Sequence, residues 1–208
     1  MTDLKDGILK FRKQEFEANK EHFTSLGRRQ NPHTLFIGCS DSRVVPTLIT
    51  QTMPGELFIV RNIANIVPPW RESEEYLATT SAIEYAVQIL NVKNIIVCGH
   101  SNCGGCAALW ESPVNLEKIP HTRRWLELAT KVTVRVNNAL SEQDFHAREW
   151  LTEQYNVVEQ LSHLMTYPYI RERVEQKTLE ILGWHYLIHT GDIYQYNTDG
   201  EHFELLNQ

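Results

Sequence analysis

The segment Asn94–Ala108, NIIVCGHSNCGGCAA, decides how the chain is expected to fold. It begins with a short apolar run that is typical of a buried strand, and at Gly99 it passes into small and polar residues. His100 and Cys103 are three residues apart, which suits two metal ligands, whereas Cys103 and Cys106 have the spacing of a redox dithiol. The two hypotheses imply different proteins, and the remaining sequence must separate them.

Short apolar runs alternate along the chain with stretches of helical periodicity. This alternation is typical of a parallel sheet covered by helices, because each crossover between parallel strands needs a helix-sized connection. The predicted strands are Leu35–Ile37, Glu56–Asn62, Asn94–His100, Thr178–Gly191 and, as a final hairpin strand, Gly191–Asn197. The predicted helices are Leu4–Leu26, Ser73–Leu90, Thr122–Leu140 and Asp144–Met165. We therefore expect an α/β fold: a mostly parallel central sheet with an antiparallel edge strand, flanked by helices.

Composition limits the classes of protein that the chain can belong to. Its 208 residues, 42% hydrophobic and 22% charged, are enough for one domain with a sizeable core. A net charge of -6 and the lack of a basic stripe argue against a nucleic-acid partner. The apolar runs are only strand-sized, so no transmembrane helix is expected. Acidic Asp3 and Asp6 argue against a secretory signal, so the four cysteines are expected in a reducing cytoplasm.

Two of the predicted strands end in chemically unusual loops. Cys39–Arg43, CSDSR, follows the first strand, and His100 and Cys103 follow the third. Ligands bind beyond the carboxyl ends of parallel strands, so these residues converge if the two strands are neighbours. Two thiolates and an imidazole suit zinc, and the fourth position is left for water or for a carboxylate. Asp41 lies close enough in sequence to face the metal, and Arg43 is expected to hold it ionised through a bidentate pair.

Four motifs resemble, in order and spacing, those of the β-class carbonic anhydrases. They are CSDSRVVP at Cys39–Pro46, PGELFIVRNIAN at Pro54–Asn65, SAIEYAV at Ser81–Val87 and VCGHSNCGG at Val97–Gly105. The similarity spans nearly the whole chain and is densest between Gln30 and Cys106. Within the family the chain resembles the plant-type and cyanobacterial-type branch. It implies reversible hydration of carbon dioxide to bicarbonate and a proton by attack of zinc-bound hydroxide, with one zinc ion per subunit.

The resemblance also implies roles for individual residues. Cys39, His100 and Cys103 become the zinc ligands, and Asp41 and Arg43 become a catalytic dyad. The residues that match positions lining the family's narrow substrate pocket are Gln30, Phe58, Ile63, Tyr85 and Gly104. Some of these are expected to lie across a subunit interface.

Assembly and regulation are further expectations from the resemblance. Residues 1–208 are expected to form a single carbonic anhydrase-like domain, whose N-terminal helical arm, about residues 1–28, wraps a neighbouring subunit. The assembly is a homodimer or a larger homo-oligomer, such as a tetramer or octamer. Some members have a bicarbonate-regulated closed state with a tryptophan three residues before the first ligand cysteine. Here that position is Phe36, although Arg61 and Tyr186 match the rest of that site, so we expect an open site with Asp41 paired to Arg43.

Three alternatives stay open from the sequence. Relatives that hydrolyse carbonyl sulfide or carbon disulfide have a similar zinc site. A non-catalytic zinc domain is the second alternative, and it requires Asp41 as a permanent fourth ligand. A thiol–disulfide protein using Cys103–Cys106 would leave CSDSR without a role; in the carbonic anhydrase interpretation Cys106 is a small buried residue. The cytoplasm is the default location, and recruitment into a microcompartment stays open.

Overall fold

The computed structural model describes residues 3–72, 75, 77–140 and 145–206. Within them lies a sheet of six strands: β1 Thr34–Cys39, β2 Leu57–Asn62, β3 Asn94–His100, β4 Glu180–Tyr186, β5 Ile193–Asn197 and β6 His202–Leu205. The strand order is β2-β1-β3-β4-β5-β6. Strands β1 to β4 run parallel to one another, β5 pairs antiparallel with β4, and β6 pairs antiparallel with β5. The predicted architecture is confirmed, with an antiparallel edge of two strands rather than one.

Strand β1 pairs directly with β3, as the convergence of the two loops requires. Phe36 lies opposite Ile96 and Ile37 lies opposite Val97 in the parallel register. All six residues of β1 are buried, because both faces of this central strand are covered. Parallel neighbours end at the same edge of a sheet, so the segments that follow β1 and β3 emerge side by side.

The N-terminal region, predicted as one helix over Leu4–Leu26, is divided into three. The helices are α1 Leu4–Lys13, α2 Glu15–Ala18 and α3 Lys20–Leu26. Gln14 and Asn19 stand at the breaks with φ of -111° and -117°, outside regular helical geometry. None of the three helices contributes a buried residue. The arm therefore lies on the surface of the domain, and its apolar residues Leu4, Ile8, Leu9 and Phe11 are exposed.

The remaining helices cover the sheet. They are α4 Pro46–Thr50, α5 Ala78–Glu84 continued by a π-helical turn at Tyr85–Ile89, α6 Gly104–Ala108, α7 Pro120–Leu126, α8 Thr130–Ala139, α9 Phe145–Leu164 and α10 Pro168–Glu175. The predicted helix over Thr122–Leu140 is thus two helices joined by a 3-10 turn. The predicted starts at Ser73 and Asp144 lie outside the described residues. Both α4 and α10 were missed by the sequence analysis; each is short and begins at a proline, which is favourable at the first helical position.

Helix α9 packs unusually close to the sheet because two strands carry glycine beneath it. A Cβ atom on Gly99 would lie 2.7 Å from a methyl group of Val157, and one on Gly183 would lie 2.9 Å from both Val157 and Leu161. These close approaches, at the centre of the main apolar core, bring the polar residues of α9 within reach of the segment that follows β3. Among the described residues, no helix has the length and apolar character needed to cross a membrane.

Candidate metal centre

Three potential metal ligands meet where β1 and β3 end. Cys39 is the last residue of β1, His100 is the last residue of β3, and Cys103 immediately precedes α6. One ligand atom from each lies within 4.8 Å of the others, and the two sulfur atoms are 4.0 Å apart. Two thiolates on one tetrahedral zinc ion, each about 2.3 Å from it, stand about 3.8 Å apart. The observed spacing therefore fits the expected ion.

The histidine is already oriented as a ligand. Nδ1 of His100 donates to the carbonyl oxygen of Ser101 at 2.9 Å, which leaves Nε2 with a free lone pair. Nε2 is fully buried and has no hydrogen-bond partner within the described residues. A buried nitrogen without a partner is costly, and coordination of a metal by that lone pair removes the cost.

The ionised forms of the two thiols require a positive charge nearby. The hydrogen bond with Cys103, and then burial, raise the pKa of the Cys39 thiol to about 12. The pKa of Cys103 is raised as well, chiefly through its contact with Cys106. Such thiols ionise readily only beside a compensating cation, as zinc ligands do. The donor set, the spacing and the unpartnered Nε2 all fit a zinc ion.

A carboxylate clamped by arginine stands beside the three ligands. Oδ1 of Asp41 accepts from the backbone N–H and from Nε of Arg43, both at 2.9 Å, and Oδ2 accepts from Nη2 at 2.8 Å. Hydrogen bonding from Arg43 holds the pKa of Asp41 well below its usual range. Oδ2 is also 3.9 Å from Nε2 of His100, so an ionised oxygen borders the metal centre. The bidentate pair expected from the sequence is present.

Two arginines tie the loops of the site together. Nη2 of Arg43 also donates to the carbonyl oxygen of Asn102, which joins the loop after β1 to the loop after β3. Arg61 on β2 donates to the carbonyl oxygens of Cys39 and Asp41. The backbone segments that carry Cys39, Asp41 and Cys103 are therefore linked by arginine hydrogen bonds as well as by the sheet.

Of the five expected pocket residues, Ile63 and Gly104 lie next to the segment that carries Cys103. Ile63 lies against the start of α6, since a Cβ atom on Gly105 would be 3.0 Å from its side chain, and Gly104 directly follows Cys103. Phe58 and Tyr85 form an aromatic pair with ring centroids 6.1 Å apart, and Tyr85 is 44% exposed. Gln30 lies in the exposed segment between α3 and β1.

The sequence analysis missed two buried residues behind Cys103. Glu153 accepts a hydrogen bond from the backbone N–H of Cys103, and its other oxygen contacts His185. His185 is fully buried, and its Nδ1 has no partner among the described residues. No local sequence motif indicates these contacts, because Cys103, Glu153 and His185 are far apart in sequence.

Comparison with known proteins agrees with this arrangement. A family model described as carbonic anhydrase matches residues 34–193. The carbonic anhydrase of Helicobacter pylori is 42% identical over 205 residues, which cover 97% of this chain and 93% of that protein. That of Synechococcus elongatus is 36% identical over 197 residues, 94% of this chain and 71% of that protein.

Solved structures give the same result. The β-carbonic anhydrase CcaA superposes with a TM-score of 0.93 at 35% identity and covers 99% of this chain and 91% of its own. A tetrameric β-carbonic anhydrase of Sordaria macrospora has a TM-score of 0.79 at 34% identity, with 91% and 93% covered. Fold and site together define an α/β metalloenzyme. The chain belongs to the carbonic anhydrase family, in its β class. Members of this family use zinc and interconvert carbon dioxide and bicarbonate.

Proposed function

We propose that Cys39, His100 and Cys103 hold one zinc ion and that the chain hydrates carbon dioxide beside it. The observation that carries this proposal is the convergence of the three donor atoms, within 4.8 Å, at the ends of two adjacent strands. Zinc, when bound, supplies a Lewis acid that brings the pKa of water to about 7. Three protein ligands rather than four are typical of a catalytic rather than a structural zinc site.

Asp41 and Arg43 are the proposed catalytic dyad. Arg43 keeps Asp41 ionised, so that Oδ2 accepts the hydrogen of the attacking water and directs the oxygen lone pair at the carbon atom of the substrate. The same contact holds the carboxylate on the guanidinium, which favours the open arrangement expected from the sequence. A carboxylate with two strong hydrogen bonds from arginine gives up the pair only at considerable cost.

The proposed substrate pocket is apolar, as carbon dioxide requires. Phe58, Ile63 and Tyr85 supply apolar walls, and Gln30 and the backbone N–H of Gly104 are the proposed donors to substrate oxygens. The N–H of Gly104 lies in the first turn of α6, where backbone donors have no intrahelical acceptor. Donors placed where negative charge develops stabilise the transition state more than the substrate.

A second copy of the chain completes this pocket in our proposal. Exposed apolar side chains lie on the proposed pocket walls and along the N-terminal arm, none of whose helices contributes a fully buried residue. We therefore propose that residues 1–208 act as one domain whose arm, about residues 1–28, covers a neighbouring subunit. A homodimer is the minimum assembly, and the relative from Sordaria macrospora is described as tetrameric.

The four cysteines are free and buried, which suits the proposed location in the cytoplasm.

Stopped-flow hydration of carbon dioxide by the zinc-loaded protein between pH 6.5 and 9 tests the proposal. Fast turnover that rises with pH and is lost in Cys39→Ala supports it. Absence of turnover in protein that holds one zinc ion per chain contradicts it and directs the assay to carbonyl sulfide or carbon disulfide. Cys103 contacts Cys106, as a redox dithiol requires, but the thiol–disulfide alternative gives no role to the cluster that Cys103 forms with Cys39 and His100.

A further inference from the structure

A buried carboxylate joins the backbone of one proposed zinc ligand to a buried histidine. Oε1 of Glu153 accepts from the N–H of Cys103 at 3.0 Å, and Oε2 lies 3.0 Å from Nε2 of His185. Glu153 is 2% exposed and His185 is fully buried. In the described part of the chain, His185 is the basic side chain that pairs with Glu153. Since neither residue belongs to the metal centre or to the proposed pocket, their burial needs another reason.

The packing around Glu153 and His185 holds both in place. Gly99 lies opposite His185 in the β3–β4 register, and the absence of its side chain lets α9 approach the sheet. The imidazole of His185 meets the ring of Trp150 edge to face, with centroids 4.8 Å apart. This contact fixes the ring plane and leaves Nε2 facing the carboxylate. The carboxylate in turn has one oxygen left for the chain at Cys103.

The peptide of Cys103 is thereby held on both sides. Its N–H donates to Glu153, and its carbonyl oxygen accepts from the N–H of Ala107 within α6 at 2.9 Å. These two bonds restrain the backbone on either side of the Cys103 Cα atom, and its Sγ lies 4.0 Å from Sγ of Cys39. A ligand on such a fixed peptide needs no reordering when the metal binds, and it leaves the metal less readily.

We propose that Glu153 and His185 are positioning residues that slow the loss of zinc by fixing the backbone of Cys103. This inference rests on the proposed role of Cys103 as a zinc ligand. Neither residue touches the substrate. They act through the hydrogen bond from the Cys103 N–H, and His185 acts one step further away by orienting Glu153.

The test measures the rate at which zinc passes from the loaded protein to an excess of a chromophoric chelator. Glu153→Met keeps the side-chain length but removes both acceptors, so zinc release is expected to accelerate about 10- to 100-fold. Glu153→Gln keeps an oxygen for the Cys103 N–H and is expected to restore most of the slow release. Glu159→Met is the matched control, because Glu159 is a largely buried carboxylate on the same helix that pairs with His163 instead.

Substitution of His185 provides a second test should Glu153→Met fail to fold. His185→Leu removes the contact that orients Glu153 and is expected to accelerate release, whereas His185→Gln keeps a donor and is expected to release zinc slowly. The visible spectrum of the Co²⁺-loaded protein should change in Glu153→Met and stay unchanged in Glu159→Met.

Release rates within twofold of the wild type in both Glu153→Met and His185→Leu would overturn the inference. Wild-type protein that binds no zinc, or Cys103→Ser that keeps it, would instead contradict the proposed metal site.

Discussion

Arg61 donates from Nε to the carbonyl oxygen of Cys39 at 2.9 Å, across the pair formed by β2 and β1. Its Nη2 donates to the carbonyl oxygen of Asp41 at 2.6 Å. One guanidinium group therefore holds the backbone of a proposed zinc ligand and of the proposed catalytic carboxylate at the same time. The planar arrangement of its donors suits two acceptors at a fixed separation, which an ammonium group cannot match.

Arg61→Lys is expected to reduce kcat/KM for hydration about tenfold, equivalent to about 1.4 kcal/mol of lost transition-state stabilisation. Lysine keeps the charge, but its single ammonium group cannot hold both carbonyl oxygens, so the turn carrying Asp41 becomes mobile. Zinc content should remain at one ion per chain, because no ligand is changed. Stopped-flow kinetics and metal analysis on the same sample measure both quantities.

Arg173→Lys is the matched control for that substitution. Arg173 also donates to backbone carbonyl oxygens, those of Val87, Val92 and Thr178. Val92 and Thr178 precede β3 and β4, at the edge of the sheet opposite the metal centre. Arg173→Lys should lower the midpoint of thermal unfolding and leave kcat/KM unchanged. An equal loss of kcat/KM in both variants would show that the effect of Arg61 is not local to the site.

Asp41→Asn is expected to keep zinc and lose about 100-fold or more of the hydration rate, within the range typical of a general acid–base group. The amide keeps the size of the side chain, but one of its two positions becomes a donor that opposes the N–H groups of Arg43. It also lacks the negative charge that accepts the hydrogen of the attacking water. Metal analysis checks retention, and stopped-flow kinetics checks the rate. Full activity of Asp41→Asn would remove the dyad from the mechanism.

Replacement of any proposed ligand should abolish stoichiometric zinc, whereas replacement of the neighbouring cysteine should not. Cys39→Ala, His100→Ala and Cys103→Ala each leave two ligands, which is too few to retain the ion through dialysis. Cys106→Ser changes a buried cysteine of the same short segment that is not part of the cluster. We expect it to keep one zinc ion per chain, as measured by elemental analysis. Zinc loss in Cys106→Ser equal to that in Cys103→Ala would contradict the ligand assignment.

The convergence of Cys39, Asp41, His100 and Cys103 could be predicted from the sequence because it follows from topology. Residues that end neighbouring parallel strands share one edge, and each of these residues lies within a few positions of a strand end. The Asp41–Arg43 pair was predictable for a different reason: a separation of two residues brings the side chains together without long-range packing. Such local relationships need only the correct strands.

The contacts of Glu153 could not be predicted in this way. A glutamate within a helical pattern is ordinarily a solvated residue, and its burial depends on α9 approaching β3 and β4. That approach depends in turn on Gly99 and Gly183, whose significance appears only when the helix lies over them. The breaks in the N-terminal helix could not be predicted either, since Gln14 and Asn19 lie within a stretch whose apolar residues recur at helical spacing.

Alanine substitution of two adjacent glycines at the start of α6 should have different effects on the free energy of unfolding. A Cβ atom on Gly105 would lie 2.8 Å from the Cβ atom of Ala64 and 3.2 Å from the backbone nitrogen of Ala64. The backbone at Ile63 and Ala64 would therefore have to move. Gly105→Ala is expected to cost about 1–3 kcal/mol of unfolding free energy, the usual range for overpacking, and to lower activity.

Gly104→Ala serves as the comparison, because nothing lies within 4 Å of the added Cβ atom. Alanine keeps the backbone N–H proposed to contact substrate, and it loses less conformational entropy than glycine on entering a helix. Its unfolding free energy should equal that of the wild type or exceed it by up to about 1 kcal/mol, as measured by urea denaturation. Equal destabilisation by both substitutions would mean that α6 does not pack against Ala64 as described. The difference between the two variants therefore tests the close approach that builds this side of the site.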